Sequence, residues 1–112
     1  MYNKVVIINS DTLGRGDEEV GYTLLGVFLR KTLASINRPD AIIFYNSGVK
    51  LLVHGSYFVD ILEVLEQRGV ELIACGTCVY KACGKSSLIA GRISNMDEIT
   101  DILLSAKTVI TL

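Results

Sequence analysis

The chain has 112 residues, half of them hydrophobic and 21% charged, enough apolar material for one packed domain and too much for a disordered one. Its formal net charge of −1, the lack of Trp and an aromatic content of 7% argue against a basic, base-stacking nucleic-acid surface. Three cysteines in a chain able to bury its own core do not make a disulfide scaffold; in a reducing compartment they suggest redox, transfer or metal chemistry.

Met1-Tyr2-Asn3-Lys4 runs directly into a strand-like Val5-Val6-Ile7-Ile8, so no signal peptide is expected. The longest apolar stretch, Leu24 to Leu29, is far short of a membrane span and ends at Arg30-Lys31, so a cytoplasmic protein without membrane contact is expected. Residues 4–8 form the first predicted strand, followed by a polar loop from Asn9 to Gly16. Asp17-Glu18-Glu19 then open a helix, where acidic side chains suit the positive end of the macrodipole. Leu25, Phe28, Leu29, Leu33 and Ile36 mark its core face, while Leu24 and Val27 widen the apolar stripe.

Ala41 to Tyr45 read as the second strand and Asn46-Ser47-Gly48 as the loop after it. Gly55-Ser56 precedes a second helix with Phe58, Ile61, Leu62 and Leu65 on one face, and Gly69 is placed to end it. Val70 to Ala74 give a third buried strand that delivers Cys75 and Cys78, spaced Cys-x-x-Cys, at its carboxyl end. A short helix over Val79 to Gly84 and a short strand over Leu88 to Ala90 follow. Asn95 caps a further helix, with Glu98 as capping-box partner and Ile99, Ile102, Leu103 and Ala106 as its apolar face; Thr108 to Leu112 close the chain as a strand. Alternating strands and helices, with nearly continuous apolar strands, predict a single-domain three-layer α/β/α fold over residues 1–112 around a five-stranded, mostly parallel sheet.

The chemistry concentrates at Cys75-Gly76-Thr77-Cys78. Two buried structural thiols would be the plain alternative. Gly-Thr between the cysteines suits an exposed turn, and a strand end meeting a helix start favours a thiolate. A four-ligand zinc site within the chain would have only Cys83 and His54 to add, and neither stands in a second ligand pair, so no metal or organic cofactor is expected. A thioredoxin-type site is disfavoured because its cis-proline has no counterpart. Gly14-Arg15-Gly16 is no phosphate loop, since Glu19 stands where the third glycine would fall and three acids occupy the helix start. With the first and third strands expected as neighbours at a switch point, Asn9, Asp11 and Thr12 would pass close to the cysteines, although a solvated turn accounts for Asp11 and Thr12 equally well. Asn46, Ser47, Gly48 and Lys50 either donate to an anionic sulfur species or simply form a turn. His54 lacks a carboxylate partner in sequence and reads as structural.

Several strings now combine: Asn9-Ser10-Asp11-Thr12-Leu13-Gly14-Arg15-Gly16-Asp17-Glu18-Glu19, Phe44-Tyr45-Asn46-Ser47-Gly48-Val49-Lys50-Leu51, Gly69-Val70-Glu71-Leu72, Cys75-Gly76-Thr77-Cys78 and Ser94-Asn95-Met96. Together they resemble the DsrE/DsrF-like family, and within it the carboxyl-terminal domain of YedF-like selenium-metabolism proteins. The resemblance implies a flavodoxin-like parallel sheet, an oligomer (a trimer or a multiple of it), and a cysteine that carries sulfur as a persulfide or handles selenium. It implies Cys75 as the carrier, with Cys78 able to close a disulfide behind it, and it makes Gly76 and Thr77 part of the site. Cys83 stands where the family would have glycine and receives no role. The amino-terminal SirA/TusA-like domain common in YedF-like proteins, with its Cys-Pro motif, lies outside this sequence, so a separate small carrier of that type is the expected partner. A non-catalytic oligomeric interaction or scaffold subunit is the rival expectation.

Overall fold

The computed structural model describes residues 2–84 and 88–112. Their strands form one parallel five-stranded sheet: β1 (Lys4–Ile8), β2 (Ala41–Phe44), β3 (Glu71–Cys75), β4 (Arg92–Ser94) and β5 (Thr108–Thr111), in spatial order β4-β3-β2-β1-β5. The helices are α1 (Glu18–Ala34), α2 (Val59–Gln67), α3 (Gly76–Cys83) and α4 (Met96–Ser105), and a 3-10 helix runs over Asn46–Leu52. The expected layered α/β architecture is therefore present.

The strand order explains the layers. From β1 to β4 each strand is added on the same side of its predecessor, so right-handed crossovers place α1, α2 and α3 on one face. The connection from β4 returns past β1 to β5, which puts α4 on the other face. Side chains alternate accordingly. Val6, Ile8, Ile42, Phe44, Leu72 and Ala74 pack under Leu25, Leu29, Leu62, Leu65 and Val79. Val5, Ala41, Ile43, Ile73 and Cys75 pack under Ile99 and Ile102.

Several expectations are corrected. The first and third strands are not neighbours: β1 lies between β2 and β5, and β3 lies between β2 and β4. The switch point therefore falls between β1 and β5, away from the cysteines. The short strand forms at Arg92–Ser94 instead of Leu88–Ala90, where Leu88 makes only an antiparallel bridge to Val53. α3 begins at Gly76, directly after β3, instead of at Val79. Ile36 is 97% exposed beyond the end of α1 and takes no part in the core. Phe58 is the N-cap of α2.

The helix ends follow local chemistry. Asp17 caps α1 by accepting from the Val20 N–H at 2.9 Å, and Asn95 caps α4 by accepting from the Glu98 N–H at 3.0 Å. The Glu98 carboxylate does not close the expected capping box; it pairs with Arg92 at 2.7 Å and accepts from Ser94. Arg92 also meets Glu71 at 2.7 Å, so one guanidinium ties β4 to both β3 and α4. These pairs hold the Glu98 carboxyl down at about 2, with the Arg92 hydrogen bond as the main cause. Gly69, at φ +93°, supplies the left-handed residue that ends α2, as expected.

Candidate functional site

β3 ends and α3 begins without an intervening residue, so Cys75 is both the last strand residue and the helix N-cap. Alternation along β3 turns its side chain to the α4 face, where it is only 4% exposed. Cys78 is the third helical residue and is half-buried, packed against both core clusters at the end of the sheet. N-cap and N3 positions lie beside each other in a helix's first turn. The two cysteines are thus adjacent, but they do not share an exposed turn. The strand delivers one sulfur into the core, and the helix presents the other at its margin.

The environment of Cys78 can be stated in charges and dipoles. Burial pushes its thiol above the ordinary value, and the neighbouring Cys75 side chain pushes in the same direction. The backbone N–H of Asn46, directed at the Cys78 sulfur, opposes them by favouring the thiolate. Asn46 holds that direction at φ +52°, a left-handed conformation that Asn tolerates better than most side chains. All three cysteines are free thiols.

The segment after β2 is built against this spot. Ser47 Oγ accepts from the Asp11 N–H at 3.2 Å, which ties the loop after β1 to the 3-10 helix. Gly48 is buried, and a Cβ there would stand 2.3 Å from the Ile8 carbonyl oxygen, so the 3-10 helix rests on the end of β1 because this residue has no side chain. Gly76 is similarly close to β4, with an added Cβ meeting Ile93 Cγ2 and the Ser94 carbonyl oxygen at 3.1 Å. An open cavity of about 470 Å³ results, lined by Asn46, Ser47, Lys50, Thr77, Cys78, Lys81 and Ala82.

The other expected site residues divide. Asn46, Ser47, Lys50 and Thr77 reach the Cys78 cavity, whereas Gly48 and Gly76 act through close backbone approach. Asn9 lies half-buried past the end of β1. Thr12 is turned into its own loop: its N–H donates to Ser10 Oγ and its hydroxyl donates to the Gly14 carbonyl. Asp11 lines a second cavity of about 440 Å³ with Lys50, His54 and Cys83. The loop after β1 therefore does not line the Cys78 cavity; the segment after β2 does. Lys81 was not anticipated. It stands four residues after Thr77 and three after Cys78, a helical spacing visible once the helix is begun at Gly76.

Among the described residues, no group of three or more His, Cys, Asp or Glu side chains is arranged to hold a metal ion, and no helix is long and apolar enough to cross a membrane.

The fold is similar to known structures. The ychN protein from E. coli matches with a TM-score of 0.72 at 23% identity, and the protein of unknown function MTH1491 from Methanobacterium thermoautotrophicum with 0.71 at 20%; both comparisons cover 100% of each chain. A search of curated proteins finds no match. The model of the DsrE/DsrF-like family matches residues 4–112, and the chain belongs to that family.

Proposed function

We propose that this protein is a sulfurtransferase-like relay that accepts sulfane sulfur, or selenium in the same role, on its Cys-Gly-Thr-Cys motif. The observation that carries the reading is the arrangement at Cys78: it meets a cavity lined by Lys50 and Lys81 and has a second thiol buried beside it. Exposure favours the opposite order to the one expected within the pair. Cys78 is the accepting thiol because the cavity reaches it, and Cys75, 4% exposed, is the resolving one.

The Cys78 thiolate attacks the terminal sulfur of an incoming persulfide. The donor's S–S bond breaks, the donor leaves as a thiolate, and Cys78 becomes a persulfide with no net oxidation. The Asn46 N–H and the first amides of α3 stabilise the new anionic terminal sulfur. A partner thiol can then take that sulfur by the same exchange. Alternatively, Cys75 attacks the inner sulfur, hydrosulfide leaves, and a Cys75–Cys78 disulfide remains until an external thiol reduces it. Free cysteines used in this way fit a reducing, cytoplasmic setting.

The donor and acceptor of this reading are thiol carriers, and a separate SirA/TusA-like protein is the partner it favours. A homo-oligomer, a trimer or a multiple of it, is part of the same proposal. Val20, Leu24 and Val27 stand 54%, 46% and 40% exposed on α1, an outward apolar strip that a subunit contact would cover. The same strip is the observation favouring the rival reading, a scaffold subunit whose cysteines are idle.

Intact-mass analysis after incubation with glutathione persulfide separates the two. The relay gains one sulfur atom, retained in Cys83→Ser and lost in Cys78→Ser. A scaffold gains none.

A further inference from the structure

Cys78 shares its cavity with two lysines from different elements, Lys50 on the 3-10 helix and Lys81 on α3. Among the described residues no carboxylate lines it, although the chain as a whole carries a net charge of −1. Thr77 and Ser47 line the same space, and Ser47 Oγ, which accepts from Asp11, keeps its own proton to donate. A volume of about 470 Å³ is on the scale of a small-molecule cleft. A protein persulfide needs only an accessible thiol. Two lysines, two hydroxyls and an inward backbone N–H suit a donor that brings more negative charge than a persulfide does.

We propose that the cavity takes a small dianionic sulfane donor of the thiosulfate class, held by Lys50 and Lys81 beside Cys78. This deepens the relay reading and rests on it. The Cys78 thiolate attacks the sulfane sulfur, the S–S bond of thiosulfate breaks, and sulfite leaves with the electron pair. Cys78 keeps the transferred sulfur as a persulfide. No outside oxidant or reductant enters, and the lysines balance the charge that gathers on the departing sulfite.

The test incubates the purified protein with thiosulfate and follows sulfite release together with the intact mass. Wild type should release one sulfite per sulfur gained. The Lys50→Ala/Lys81→Ala variant, checked for an unchanged melting temperature, should load from thiosulfate about tenfold more slowly, the scale of two partly screened charge contacts. Lys107→Ala, remote from the cavity, should match wild type. Loading from glutathione persulfide but not from thiosulfate overturns this inference and leaves the relay standing. Thiosulfate loading undiminished in the double variant also overturns it. Loading from neither donor removes the relay reading, and this inference with it.

Discussion

Gly48→Ala is the substitution that most sharply probes how the site is held. The φ of Gly48 is not in the left-handed region, so alanine meets no backbone strain there, and loss of glycine freedom in the unfolded chain would stabilise by about 0.4–1 kcal/mol. Space decides otherwise. The new methyl would lie 2.3 Å from the Ile8 carbonyl oxygen, 3.1 Å from its carbon and 3.4 Å from the Ser10 nitrogen. These are backbone atoms at the end of a central strand and cannot rotate away. The same carbonyl accepts the Tyr45 N–H at 3.3 Å, so pushing the 3-10 helix outward also weakens that bond. Overpacking of about 1–3 kcal/mol and a hydrogen bond of about 1 kcal/mol, less the chain-entropy gain, leave a destabilisation of about 1–3.5 kcal/mol. For a chain of this length that is a fall of roughly 4–14 °C in melting temperature, read by circular dichroism. Gly14→Ala is the internal control: at φ +82° with open space around it, strain alone should cost about 1–2 kcal/mol. A melting temperature for Gly48→Ala within about 2 °C of wild type would refute the close-approach argument.

Cys78 should alkylate faster as pH rises through and beyond 9, because burial and Cys75 hold it as the thiol; Cys75→Ser removes one of those causes and should move the stopped-flow rate profile to lower pH. Arg92→Met should raise the Glu98 carboxyl from about 2 towards its ordinary 4.5, as measured by NMR titration. With Glu98 depressed in the folded state, its contribution is complete above about pH 4.5 and fades as pH falls towards 2. The deficit of Arg92→Met should follow that window, and with both side chains 42% exposed its Glu98 part should stay below about 1 kcal/mol. Leu24→Glu places a charge in the outward strip of α1 and should lower the oligomer mass in light scattering; a wild type that is monomeric at micromolar concentration removes the subunit-contact proposal.

What was legible in the sequence follows from what each pattern encodes. β1, β2 and β3 are continuous apolar runs because both of their faces are covered, and they were read to within a residue. β4 was misplaced because an edge strand need not look buried: Arg92 is exposed and spends its charge on Glu71 and Glu98, so Leu88 to Ala90 looked the better strand. The start of α3 was missed because Gly76-Thr77-Cys78 has no apolar periodicity, and its first turn is defined by the strand before it. That single slip hid Lys81 and made the cysteine pair look exposed. Strand order was beyond reach, since alternation fixes element type but not which strands are neighbours. The change moved the switch point away from Cys75 and put the segment after β2, instead of the loop after β1, beside the thiols. The parity of β3 was already visible in sequence and could have turned Cys75 inward: Ile73 and Cys75 share a face, and Ile73 is buried.

The most direct measurement is fragment-level mass mapping of the wild-type protein after brief loading with glutathione persulfide. The added sulfur should reside on Cys78, with a slower appearance of a Cys75–Cys78 disulfide as hydrosulfide is released. Sulfur found first on Cys83, or on Cys75 while Cys78 remains a thiol, would contradict the roles assigned to the pair.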